Sequence, residues 1–156
     1  MKKIAAILAA FTMLAGMATA VPVSADSSNL DYGDALKMSL YFYDANECGS
    51  EVDSNPLTWR GNCHTYDSTA NLNSANGLGD AEKQVIKAQN GGRDTLDVSG
   101  GYHDAGDHIK SAMTIGFSGT NLAWSYYSHP EVFEQTGTTD HLLDILHTMS
   151  EYLMKV

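Results

Sequence analysis

The stretch from Glu47 to Phe117 constrains this chain more than any other feature. It is rich in Asn, Gly, Ser and Asp, has little hydrophobic periodicity, and stands between segments that read as helices. So long a loop is unusual inside a compact domain and tends to be functional. Ahead of it, Tyr32 to Asn46 places Tyr32, Ala35, Leu36, Phe42 and Tyr43 mostly on one helical face, with Asp31 positioned to cap the first turn. Behind it, the run from about Ser118 to Tyr127 is compatible with a helix that stops before Pro130. The segment Thr139 to Lys155 carries the clearest amphipathic stripe, Leu142, Ile145, Leu146, Met149, Tyr152 and Leu153, with Thr138, Thr139 and Asp140 as cap candidates. Within the loop, only Asp80 to Gln89 reads as a short helix, and no repeat or strand ladder is visible. Three helices around one long loop cannot enclose a good core. The reading is therefore an all-α chain, truncated, whose last stripe needs facing helices that the sequence does not supply.

The first 25 residues are of a different kind. Lys2 and Lys3 precede an apolar run from Ile4 to Met17, and Ala18-Thr19-Ala20 and Val23-Ser24-Ala25 both fit a small-x-small cleavage site. Pro22 argues for cutting after Ala25. The run is shorter than the about 20 residues a membrane span needs. Residues 1–25 thus read as a secretory signal peptide, leaving residues 26–156 as an extracellular protein with no membrane association after cleavage. The formal net charge of −10 excludes a nucleic-acid partner, because phosphate binding requires clustered Lys and Arg, and favours a neutral one. The oligomeric state stays open.

The most informative segment is DVSGGYHDAGDHIK, Asp97 to Lys110. Gly100 and Gly101 permit a sharp turn. Asp104 and Asp107, three apart and flanked by His103 and His108, can share one small target such as a water molecule or a metal ion. A lone D-x-x-D pair is usually a solvated turn, but the extended GGYHDAGDHIK string is far more specific. It resembles the signature of glycoside hydrolase family 9, inverting enzymes that cut β-1,4-glucans. DYGDALKMSLYFYDANECG resembles the family's first helix, LTWRGNCH its early Trp-Arg loop, and NLAWSYY and HLLDILHTMSEYLMKV its next helices; Ser111 departs from the aromatic usual there.

The resemblance implies an (α/α)6 toroid of helical hairpins, with about the first three helices present. It also implies that Asp107 is the general base and that Asp104 helps hold the nucleophilic water. Inverting glycosidases set their two carboxyls roughly 6.5–9.5 Å apart across the bond. Two acids on one turn therefore belong on the water side, and the general acid is expected to be a distant Glu. Glu131, Glu134 and Glu151 match no acid motif, so the fragment is expected to be inactive.

Cys48 and Cys63, with His64 directly after, admit two readings. One is a disulfide, worth about 3 kcal/mol in the chain-entropy model. The other is a structural zinc site closed by Cys48, Cys63, His64 and His103. A subgroup of the resembled family binds zinc with this set, which favours zinc. Calcium ligands of that family lie later than this chain reaches, and Asp94 and Asp97 read as turn residues. Trp59 and Tyr102 are candidates for glucan contact, as is Tyr66. His108 is placed to hold a sugar hydroxyl or to support Asp107. Trp124 and the methionines Met38, Met113, Met149 and Met154 read as core. Two rival functions remain: a metal-dependent hydrolase using the pairs His103-Asp104 and Asp107-His108, and a non-catalytic carbohydrate-binding module.

Overall fold

The computed structural model describes residues 31–156; the expected signal peptide at 1–25 lies outside the described residues. Five helices carry the fold: α1 Tyr32–Asn46, α2 Asp80–Gln89, α3 Ala112–Ser128, α4 Pro130–Thr136 and α5 Thr139–Lys155. None of the described helices is long and apolar enough to cross a membrane. The bounds of α1, α2 and α5 are those the sequence predicts.

Two helical features differ from expectation. Helix α3 begins six residues before Ser118, at Ala112. Pro130 ends nothing beyond α3; it opens α4 as its first residue, where the missing N–H has no intrahelical acceptor to lose. Gly137, at φ +65°, then closes α4 in the left-handed conformation, its N–H donating to Glu134 O at 3.2 Å. Thr138 precedes α5, but its hydroxyl turns back to Thr136 Oγ1 at 2.9 Å instead of capping α5.

Helix α5 is the hub, packed against α1, α3 and α4. Leu142, fully buried at 0% exposure, joins Ile145, Met149 and Tyr152 in one core with Leu40 of α1, Ile115 of α3, Phe133 of α4 and Tyr102 of the long loop. This corrects the expectation of a bare stripe: most of the α5 face is covered from within the chain. The close approach of α3 explains why. Gly119 faces Met149 so tightly that a Cβ there would stand 3.2 Å from its Sδ, and Gly116 lies opposite Leu153. With glycines on the packing face, the bulky residues of α3 point away: Trp124 is 67% exposed, and Met113, Phe117 and Tyr127 are exposed with it. Trp124 is therefore not a core residue, and of the four named methionines only Met149 is buried.

The long loop is ordered by pairings between distant residues. Ala70–Asn71 (β1) and Thr95–Leu96 (β2) form a two-stranded antiparallel sheet with Ala70 opposite Leu96. Isolated bridges join Glu47 to Tyr102 and Gly49 to Cys63. Lys110 Nζ reaches Asp67 Oδ2 at 2.6 Å and donates to Val98 O at 2.6 Å and Gly100 O at 3.2 Å. These links hold the aspartate-bearing turn against the C-terminal end of α1.

Candidate active site and metal centre

The turn is built around two glycines. Gly100 and Gly101 sit at φ +84° and +78°, a region L side chains rarely adopt. Beyond them the chain runs beside the end of α1: Cys48 N donates to Gly101 O at 2.9 Å and His103 N to Asn46 O at 2.8 Å. From the other side Cys63 N donates to Gly49 O at 3.0 Å. The backbone thereby brings three segments distant in sequence to one point. There the donor atoms of Cys48, Cys63 and His103 lie within 4.8 Å of one another.

His64 also reaches this point, its Nδ1 standing 3.3 Å from Cys48 Sγ. Its donors, however, group with His103 and His108 rather than closing the sulfur set. Both cysteines are free thiols in this arrangement. Two sulfurs and imidazole nitrogens at this spacing fit a tetrahedral zinc ion in donor chemistry. Burial, then the neighbouring His108 and His64, holds His103 down to about 4, so its ring is neutral with a lone pair to offer. Burial, then the hydrogen bond with Cys63, pushes Cys48 up to about 12, so without a bound cation it stays a thiol at neutral pH. Arg60, of the LTWRGNCH loop, donates from Nη2 to Glu47 O at 2.7 Å and lies 3.9 Å from Cys63 Sγ. Its adjacency to Cys63 in RGNC was the available signal.

Asp104 and Asp107 lie on one closed turn beside this cluster. Asp104 N donates to Ile109 O at 2.6 Å, and Ile109 N donates to Asp107 Oδ1 at 3.0 Å. Both residues are exposed. Asp104 borders two hollows. One, of about 50 Å³, is walled by Phe42, Asn46 and Tyr102; the other, of about 400 Å³, is open and walled by Met113, Thr114 and Phe117. No glutamate lines either hollow among the described residues.

The remaining site candidates separate. Trp59 is 70% exposed, available for stacking, and Tyr66 is exposed with its ring edge-on to His64. Tyr102 is 5% exposed and part of the core, its ring edge-on to Tyr43, so it offers its backbone neighbours to the site more than its face. The ring of His108 lies tilted at 43° to that of His103, ring centroids 4.6 Å apart, and among the described residues no hydrogen bond or ion pair joins it to Asp107. Asp94 pairs with Lys87 at 2.7 Å, and Asp97 accepts from Ser99 N at 2.9 Å; neither joins a metal-ligand group. Among the described residues neither Asp104 nor Asp107 belongs to such a group.

The helical hairpins match part of an α/α toroid. The model for glycosyl hydrolase family 9 matches residues 32–156, and the chain belongs to that family. It is 31% identical over 129 residues to Endoglucanase 4 of Bacillus sp. (strain KSM-522), covering 82% of this chain and 16% of that protein. It is also 31% identical over 135 residues to Endoglucanase 10 of Arabidopsis thaliana, covering 86% of this chain and 21% of that protein. Among solved structures it is similar to the catalytic domain of Clostridium thermocellum CelT, at TM-score 0.74 and 38% identity over 81% of this chain and 26% of that one. It is likewise similar to the cellulase Cel9M of C. cellulolyticum in complex with cellobiose, at TM-score 0.62 and 36% identity over 83% of this chain and 25% of that one. The chain thus spans about a tenth to a quarter of the proteins it matches.

Proposed function

We propose that the protein serves the hydrolysis of β-1,4-glucosidic bonds in cellulose or a related glucan, with inversion. Asp107 acts as the general base and Asp104 helps to hold the attacking water. The observation that carries this reading is the exposed Asp104/Asp107 turn within a chain of this family; a related cellulase bound to cellobiose supports a β-glucan substrate. With Ile109 N donating to one oxygen of Asp107, the other is left to take the water's proton. The leaving sugar oxygen needs a proton donor across the bond. Glu131 and Glu151 stand instead beside His129 and His147. On this reading Asp104 and Asp107 supply the water side of the reaction.

A zinc ion held by Cys48, Cys63, His64 and His103 would cross-link the long loop to the aspartate turn; its role is structural. Export through the leader at 1–25 places the protein outside the cell, where soluble and insoluble glucans are met.

The test is Asp107→Asn in the complete enzyme, read as reducing ends released from a soluble β-1,4-glucan. Turnover should fall at least about 100-fold while glucan binding persists. The first product should be the α-anomer by proton NMR. Retained turnover removes Asp107 from its role; a β-anomer excludes inversion. Binding without any hydrolysis by the unaltered complete protein would make it a carbohydrate-binding module.

A further inference from the structure

The sulfur-containing cluster has a second face. His64, His103 and His108 offer ring nitrogens all within 4.8 Å of one another, and His103 is the one residue common to both groups. The ring centroids of His103 stand 4.6 Å from His108 and 5.2 Å from His64, with His64 and His108 6.2 Å apart. Two of the three rings are delivered by uncommon backbone: His64 at φ 48° and His108 at φ 65° are the non-glycine residues with positive φ among the described residues. Non-glycine residues in this region are uncommon, and such conformations tend to mark functional constraint. The ring of His108 makes no hydrogen bond or ion pair among the described residues, and the residue is exposed, so its lone pair is open to an entering ion.

We infer that His64, His103 and His108 form a second, all-imidazole metal site, which takes a borderline divalent ion such as Ni²⁺. Imidazole nitrogens suit Ni²⁺, Cu²⁺ and Zn²⁺, whereas thiolates draw zinc to the other face. Because the four-ligand zinc set also uses His64 and His103, an ion on one face takes ligands from the other, and one ion is held at a time. The site also ties His64 of the long loop to a residue next to Asp107, so an ion on this face braces the aspartate turn directly. The inference rests on the reading of the cluster as a metal centre but needs no glucan chemistry.

The experiment uses the full chain, stripped of metal, with Cys48→Ser and Cys63→Ser to remove the sulfur face, titrated with Ni²⁺ by calorimetry and absorption. One Ni²⁺ should bind without a sulfur-to-nickel charge-transfer band. Adding His108→Phe should weaken it at least about tenfold. In the protein with both cysteines intact, His108→Phe should leave zinc content unchanged. Unaltered Ni²⁺ affinity in the His108→Phe protein, or no Ni²⁺ binding by a serine variant of native circular dichroism, overturns the inference. Should the double serine variant unfold, Cys63→Ala alone breaks the sulfur set and the same comparison is made there. Absence of zinc from the unaltered protein would count against the sulfur site alone, and lost glucan hydrolysis would touch neither readout.

Discussion

Gly101→Ala should be among the most damaging single-methyl additions in this protein. Gly101 holds φ +78°, and an L residue in that conformation costs roughly 1–2 kcal/mol. The new Cβ would also stand 2.6, 2.8 and 2.9 Å from Cγ, Cδ2 and Cδ1 of Tyr152. The Tyr152 ring cannot swing away: it is 6% exposed, part of the core, and has Lys110 Nζ 5.2 Å from its centroid. Overpacking of this kind costs typically about 1–3 kcal/mol. The total is about 2–5 kcal/mol, a large share of an ordinary domain's stability. Gly100→Ala is the internal control. Its φ of +84° carries the same backbone cost, but a Cβ there meets nothing within 4 Å, so about 1–2 kcal/mol is expected. Denaturant unfolding of the two variants, compared at unchanged m-value, isolates the clash. If Gly101→Ala loses no more stability than Gly100→Ala, the packing of Tyr152 over the aspartate turn is wrong.

Three further outcomes are expected. Leu142→Ala, at a fully buried site, should cost about 2–5 kcal/mol, whereas Trp124→Gln on the outward face of α3 should stay within about 0.5 kcal/mol; comparable losses in chemical denaturation would show that α5 does not face inward. The purified protein should contain about one zinc per chain by elemental analysis, with Cys48 and Cys63 becoming thiol-reactive only after chelation; a stoichiometric disulfide without metal would refute the zinc reading. Burial, the larger cause, raises the Asp44 carboxyl above its ordinary range, with the His141 ring at 2.8 Å pulling the other way. The folded chain therefore holds this proton more tightly than the unfolded one. Its contribution to stability is fully present below the unfolded value of about 3.9 and is lost as pH rises through the folded value. A carboxyl-carbon NMR titration with a midpoint below 3.9 would contradict this.

Much of this was legible before any coordinate. The bounds of α1 and α5, Tyr32–Asn46 and Thr139–Lys155, follow from local pattern, but only α5 buries the face its periodicity marks; in α1 Tyr32, Ala35 and Phe42 are exposed, and Leu40 and Asp44 are the buried residues. The residues of the aspartate turn and of the Cys/His cluster were likewise identifiable, because their types and order are particular. What local pattern could not reveal depends on partners far away in sequence. The start of α3 was hidden because its packing face is Gly116 and Gly119, which give no apolar stripe, so the visible bulk of Trp124 pointed the wrong way. Helix α4 was missed because a proline ends one helix and begins another with equal ease. The long loop looked structureless because its order comes from Ala70 meeting Leu96, Gly49 meeting Cys63 and Asp67 meeting Lys110, none of which leaves a periodic trace. Only those closures decide that Tyr102 turns into the core. They also bring His64 and His108, separated by most of the loop, to within 6.2 Å of each other beside the ring of His103.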